Sequence, residues 1–434
     1  MEQLCKNLLS TYDTNILEHA DKFLQDAFLK VSLENIKNKD GKQVLMQLIS
    51  NHYDENVQKP IAEFIGGPKT LTIHYHSGFK KLIYLFGEWH ANTMDCQTFK
   101  KGAVTVPAED YIHDLMIKTD VFLDIYFEII SYKNGEYEYE PYADGRSNEL
   151  FKKFRQCLQY NTRSDISCQL ARVHYFDIRD NDVDNNIDKL EENKVNILWF
   201  YKKLDYIILN KKEVKEAVFY LKLVLQNYPK ITTLLRQLLQ DEESVCKFMI
   251  KQVEENPYIK KELSKIHNSK IKEFILDFYY ELICKEISQV INYIRTDILN
   301  ILNHETNSDD ILLESMKFTS LFLKTPMTHF TDVYLLARIF KDFDMKKKTD
   351  KSYFDQPIRA HNIIIYCGDL HANNYRDFLL QMGFKVIDQA GDLSEDIINP
   401  IPKTPKNCLD MRKIKQPFFS YSETPDMDRI GRTT

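Results

Sequence analysis

The sequence predicts an α/β protein, a largely parallel sheet flanked by helices with a large helical-bundle insertion and a Pro-rich C-terminal arm. Three observations predict it. Buried-looking runs of strand length, such as Leu82-Ile83-Tyr84-Leu85-Phe86 and Asn362-Ile363-Ile364-Ile365-Tyr366-Cys367, alternate with helix-period segments in two separate parts of the chain. Between those parts, from about Asn186 to Lys324, the apolar period is almost purely helical. After Asn399, prolines at 400, 402, 405, 417 and 425 interrupt a segment without apolar period, for which an extended or disordered arm is expected.

The elements follow in order. The first 66 residues form a helical segment, with Ile16, Phe23, Leu24 and Phe28 at helix spacing behind a cap at Thr14. The first half of the α/β core occupies 67–185. Leu71–His76 alternates, Ser77-Gly78 turns, and Lys81–Phe86 is a compact apolar run, which together read as a hairpin leading into a core strand. A helix around Tyr111–Lys118 leads to the strand Val121–Glu128, Asn134-Gly135 marks a tight turn, and a helix over Asn148–Tyr160 precedes the strand Val173–Ile178. The insertion spans 186–325. Its clearest piece carries Ile271, Phe274, Ile275, Phe278, Leu282, Ile287, Val290, Ile291, Ile294, Ile298 and Ile301, the stripe of one long amphipathic helix that needs helical partners. The second half of the core, 326–398, holds a helix over Asp332–Phe340, the strand Asn362–Cys367, a helix over Asn374–Met382 closed by Gly383, and the strand Phe384–Ile387. The arm is 399–434, and Phe418, Phe419 and Tyr421 inside it are candidate anchors to its own domain or to a partner.

Composition narrows the function classes. At 434 residues the chain suggests two or three folding units. Fifty-eight basic against 64 acidic side chains, a net charge of −6, argue against coating nucleic acid or an anionic membrane. No apolar run approaches the ~18–20 residues that cross a bilayer, and no basic-then-apolar leader is visible. The expectation is a cytoplasmic chain with neither nucleic acid nor membrane as partner. None of the eight cysteines forms a C-x-x-C pair, so reduced core thiols are expected.

A short internal echo carries the chemistry. Leu82–Phe86 runs into Gly87-Glu88-Trp89-His90-Ala91-Asn92, and Ile363–Cys367 runs into Gly368-Asp369-Leu370-His371-Ala372-Asn373. Both are a buried strand followed by G-[E/D]-x-H-A-N. Glycine lets the chain leave a strand sharply, and an acid and a His two residues apart share one side of an extended segment. At the carboxyl ends of neighbouring parallel strands Glu88, His90, Asp369 and His371 would converge in the crevice where such sheets bind ligands. Two imidazoles with two carboxylates suit a divalent ion (Mn, Co or Zn) with an open position for water, or equally metal-free acid–base work.

These motifs resemble the superfamily that contains erythromycin esterases, TraB/PrgY pheromone-shutdown proteins, Tiki-type metalloproteases and ChaN haem-binding proteins. That group carries paired strand-end G-x-x-H motifs, a Glu at the end of the next strand and an Arg-bearing helix before the second motif. Glu128, closing Val121–Glu128, and Arg338, in Leu335–Phe340, match the last two features, and Leu379–Val386 fits the final helix, glycine and strand. The resemblance covers about residues 70–130 and 330–388. It implies one shared cleft and hydrolysis of esters or peptides, with a metal in the Tiki branch, water activation by His and Glu in the esterase branch and haem in ChaN. Haem ranks below a divalent ion here, and the membrane anchors of Tiki and many TraB proteins have no counterpart.

Other constellations rank lower. Asp180–Glu191 nearly spells a calcium loop, but Asn185 stands where glycine is expected and a strand precedes it; helix-capping aspartates are the simpler reading. Asp177 and Arg179 end a strand and could face the cleft. His74 and His76 share a strand face, read as the polar side of a hairpin. Nucleotide-binding and serine-hydrolase signatures are absent. The functional expectation is therefore a hydrolase acting on a small-molecule or peptide substrate. His90 and His371 with Glu88 and Asp369 would bind an ion or activate water, Glu128 would orient a His or act as base, and Arg338 would steady an oxyanion. The alternative is a non-catalytic ligand binder or virion-type structural protein, with the arm or the bundle contacting a protein partner.

Overall fold

The computed structural model describes residues 61–89, 104–119, 121–130, 168–178, 242–293, 328–344, 356–391 and 407–425, with single positions at 96, 150, 152–154, 157 and 393. The chain divides into two units, residues 1–177 with 342–434 and residues 178–341. The expectations for residues 1–60, for His90, for the Asn134-Gly135 turn, for the Asp180–Glu191 loop and for 186–241 and 294–325 lie outside the described residues.

The first unit is built on a mixed six-stranded sheet. Its strands are β2 (Pro68–His76), β3 (Lys81–Glu88), β5 (Leu123–Ile130), β6 (Ala171–Asp177), β7 (Asn362–Gly368) and β8 (Lys385–Gly391), in the order β6-β5-β7-β3-β2-β8. β6, β5, β7 and β3 are mutually parallel, while β2 runs antiparallel to both β3 and β8. The sheet is thus less uniformly parallel than the sequence predicts, because the β2–β3 hairpin reverses direction and β8 then joins the hairpin's outer edge. A small second sheet, not foreseen, orders β4 (Thr105–Pro107), β1 (Phe64–Gly66) and β9 (Cys408–Asp410).

Strand alternation sorts the side chains. Leu71, Ile73, Leu82, Tyr84, Phe86, Leu123, Ile125, Phe127, Ile364 and Tyr366 share one buried cluster with α1 (Ala108–Lys118) and with Met411, Ile414, Phe418 and Phe419. The other face carries the intervening residues, Thr70, Thr72, His74, Gly87, Asp124, Tyr126, Glu128 and Cys367 among them.

Of the extended and disordered alternatives expected for the C-terminal arm, residues 407–425 take a form that includes the short strand β9 and packs against the rest of the first unit. The Tyr84 ring stacks on Phe418 at 4.3 Å between centroids, and the Tyr84 hydroxyl accepts from the Phe419 N–H at 2.9 Å. Gln416 accepts from Ala62 N–H and returns its amide to Ala62 O. Tyr421 donates to Asp388 at 2.6 Å. Phe418, Phe419 and Tyr421 therefore anchor the segment to its own unit, where the apolar area they remove from water outweighs the prolines around them.

The cysteines also depart from expectation. Cys96 is bonded to Cys408 and Cys157 to Cys168, while Cys246, Cys284 and Cys367 are thiols. The pairing across 312 residues leaves no spacing signature, which is why sequence reasoning reads these residues as ordinary core thiols.

The second unit is helical in its described part. Its helices are α2 (Glu242–Glu255), α3 (Pro257–Leu263), α4 (Ser269–Tyr293) and α5 (328–340). Ile271, Ile275 and Ile287 of the predicted stripe are buried, but the rest of the buried face is Tyr279 and Ile283, while the predicted Phe274, Phe278 and Leu282 are half-buried. Asn256 caps α3 by accepting from Tyr258 and Ile259 N–H, and Pro257 fills the first helical position. Among the described residues no helix is long and apolar enough to cross a membrane.

Candidate functional site

The two motif corners lie side by side. In the parallel β3–β7 pair Gly87 is registered with Cys367 and Glu88 with Gly368, so both strands release their chains at one rim. β5 flanks β7 on its other side and brings Glu128 to the same rim.

At the second corner the sequence reading needs correction. The helix after β7, α6 (Asp369–Gln381), starts five residues earlier than the apolar period suggests, with Gly368 as its N-cap and Asp369 in its first turn. An acid at that position is favoured by the exposed N–H groups of the helix end, so Asp369–Asn373 continue the helix instead of trailing as extended chain. Helical residues two apart point to nearly opposite sides. Asp369 and His371 consequently look to opposite neighbours.

His371 turns toward β5. Its Nε2 lies 3.2 Å from Glu128 Oε1, with both side chains 5% exposed. The second Glu128 oxygen accepts the Gly368 N–H at 2.7 Å. One carboxylate thus grips the backbone at the strand exit and the imidazole one turn beyond it.

Asp369 turns toward β2. Its Oδ1 accepts from the Thr70 hydroxyl at 2.6 Å and from Arg376 Nη2 at 3.1 Å, and its Oδ2 is 3.7 Å from Lys69 Nζ. Arg376, seven residues on, shares the helix face of Asp369 and also donates to Thr70 and Thr72. Beside it, burial and then the Arg376 charge push the His74 imidazole down to about 3, so that ring stays neutral. Gly87 lies beneath this network, where a Cβ would overlap Asp369 Oδ1 and come within 2.6 Å of Thr70 Oγ1. Gly87→Ala is expected to destabilise the unit by about 2 kcal/mol. Urea denaturation reads it, and an unchanged midpoint would contradict the close approach.

Glu88 belongs to the opposite face of the sheet. It shares the pleat of Tyr84 and Phe86, is 3% exposed, and accepts from the Tyr366 hydroxyl at 2.6 Å. Glu128 and Glu88 are therefore out of phase across β7, although both lie at the same rim, Glu88 as the last residue of β3 and Glu128 two residues before the end of β5.

Of the sequence-derived residues, the described structure brings Glu128 and His371 into direct contact and sets Asp369 on the same helix with cationic partners. Glu88 is bonded to Tyr366, and Asp177 is buried at the end of β6. Arg338 stands on α5 in the second unit, where its Nη1 donates to the Tyr334 hydroxyl at 2.9 Å. Lys69, Thr70, Tyr366 and Arg376 escaped the sequence reading. Arg376 was the most accessible, since a helix begun at Asp369 places it two turns along the same face.

Asp369 has both oxygens engaged by Thr70, Arg376 and Lys69, and His371 gives Nε2 to Glu128. Among the described residues no group of three His, Cys, Asp or Glu is placed to hold a metal ion. Of the four groups the motif offers a divalent ion, Glu88, Asp369 and His371 are directed to different partners and His90 lies outside the described residues. No family model matches the sequence, and neither a curated protein nor a solved structure matches it.

Proposed function

We propose that the rim of β3, β7 and β5 is a hydrolytic site for ester or peptide bonds in which the Glu128–His371 pair activates water. The observation that carries the reading is the 3.2 Å contact between Glu128 Oε1 and His371 Nε2, made by a carboxylate whose other oxygen is fixed by the Gly368 N–H. Glu128 selects the tautomer in which Nε2 carries the proton, and Nδ1 then takes a proton from water as it attacks the acyl carbon. The resulting imidazolium keeps its charge partner in Glu128. Asp369, tied to β2 through Thr70 and Arg376, sets the first turn of α6 and with it the His371 ring. His90 enters through the sequence motif and the family resemblance, as a second base or ligand.

The test is a panel of p-nitrophenyl esters and fluorogenic peptides with the wild type, His371→Gln and Glu128→Gln. Both variants should lose about 100-fold or more in kcat/KM, chiefly in kcat, because each removes proton transfer and leaves binding surface intact. Chelator should leave the wild-type rate unchanged. Equal turnover in all three proteins would overturn the assignment.

A second reading is a non-catalytic ligand-binding protein on the same scaffold. The observation in its favour is that each described rim carboxylate has a structural partner, Tyr366 for Glu88, His371 for Glu128 and Arg376 for Asp369. Absence of turnover across the whole panel would leave this reading standing.

A further inference from the structure

Two consecutive residues of the C-terminal segment hold the exit of the first motif. The Asn407 side chain donates to Trp89 O at 3.3 Å, and Cys408 is bonded to Cys96. Asn407 O also accepts the Gly67 N–H at 2.8 Å, and β9 is registered antiparallel on β1 from Cys408 to Asp410. The sequence between Trp89 and Cys96 includes His90, so both ends of that stretch are tied to one point of the fold. The two disulfides differ in access. Cys96, Cys157 and Cys168 are buried, whereas Cys408 is half-buried.

We propose that Cys96–Cys408 is a redox-sensitive clamp between the first motif and the C-terminal segment, opened by a dithiol reductant ahead of Cys157–Cys168. A thiolate of the reductant attacks Cys408 Sγ and the Cys96–Cys408 bond breaks. Cys96 leaves as a thiolate and takes a proton. The second thiol of the reductant then displaces Cys408 from the mixed disulfide and closes the reductant's own disulfide. Two electrons and two protons pass to the protein, and an oxidised dithiol reverses the step. Access at Cys408 decides the order, because exchange needs the attacking sulfur to approach in line with the bond. Opening removes the covalent tie at Cys96 and leaves the non-covalent contacts, the Asn407 hydrogen bond to Trp89 O among them. The effect on turnover rests on the proposed hydrolytic site, but the opening itself is read without substrate.

The experiment uses the full chain purified without reductant and titrated with dithiothreitol, followed by alkylation and peptide mapping. Cys96–Cys408 is expected to open at a dithiothreitol concentration about 10-fold below that for Cys157–Cys168. Amide exchange over 64–67, 87–89 and 408–411 should accelerate by about 10-fold at that point, while 123–127 keeps its protection. Cys408→Ser should show the same acceleration without reductant. Where that variant fails to fold, the wild-type titration decides alone. A Cys96–Cys408 pair that is unbonded in the purified protein, two bonds that open together, or exchange indifferent to opening would each overturn the proposal. A chain with no hydrolytic activity but the expected exchange pattern would sink the hydrolytic reading and leave the clamp intact.

Discussion

Asp124→Ala is expected to lower the stability of the first unit by about 4 kcal/mol, because it strands a buried guanidinium. Asp124 is fully buried on β5 and is registered with Arg172 on β6. Its oxygens lie 2.7 and 2.9 Å from Arg172 Nε and Nη2, a bidentate pair, and His174 Nε2 is 3.2 Å from the first of them. The third Arg172 nitrogen donates to Pro357 O, and the guanidinium sits 3.7 Å from the Phe343 ring centre. Arg172 cannot turn out to water without surrendering these contacts, so removal of its carboxylate is felt in full. Burial alone would raise the Asp124 carboxyl, but the charges and hydrogen bonds of Arg172 and His174 outweigh it and hold the group well below the usual carboxylate range. A depressed folded value means stability that is present above the unfolded value of about 3.9 and lost as pH falls below it. The wild type should therefore lose stability progressively below about pH 4, and Asp124→Ala should have a flatter acid limb. Urea denaturation at pH 7 and pH 3 measures both, with Asp124→Ala/Arg172→Leu as the arm that should recover much of the loss. A double variant no better than the single one would mean that the stranded charge is not the cause. The pair lies near the amino ends of β5 and β6, away from the rim that holds His371, so activity per folded molecule should not change.

The difference between the two ends of this sheet explains what the sequence could and could not reveal. Apolar runs and turn residues report on the chain's own period, and for that reason the β2–β3 hairpin, β5, β6 and β7 are all legible from 67–185 and 326–398. The doubled G-[E/D]-x-H-A-N pattern likewise led to the expectation that β3 and β7 are neighbours, and their parallel register meets it. What the pattern could not give was phase. Glu88 and Asp369 occupy matching places in the motif, yet Glu88 is the last residue of a strand and Asp369 the first of a helix, so the same letters project to different partners. Interactions between residues far apart leave no local trace either. Arg376 with Thr70, Tyr366 with Glu88, and Cys96 with Cys408 become visible only when the register is known. The C-terminal segment misled for a different reason. Five prolines suggest an unfolded arm, but a hydrophobic cluster needs no period when Phe418 and Phe419 enter it from a loop.

In the second unit the largest effect should come from His329→Ala, and its pH dependence should have the opposite sign. His329 is fully buried between two carboxylates, with Nε2 2.6 Å from Glu286 Oε2 and Nδ1 3.2 Å from Asp332 Oδ2. Burial works against the charged ring, but Glu286 and Asp332 overcome it and raise the imidazole to about 9. Both nitrogens then donate, and the cation bridges α4 to α5. A raised folded value means stability that is complete below the unfolded value of about 6.5 and lost as pH rises through 9. The shift is of the order of 3 kcal/mol, drawn away between those limits. His329→Ala leaves Asp332, which is completely buried, facing Glu286 with no cation between them, and should cost about 3–5 kcal/mol at pH 7. That loss should shrink in acid, where the two carboxylates can be protonated. Hydrogen exchange over 271–287 followed from pH 6 to pH 10 isolates this unit from the first. Protection in the wild type that is flat across that range would show that the ring is neutral at pH 7, and the bridging cation would have to be abandoned as what joins α4 to α5.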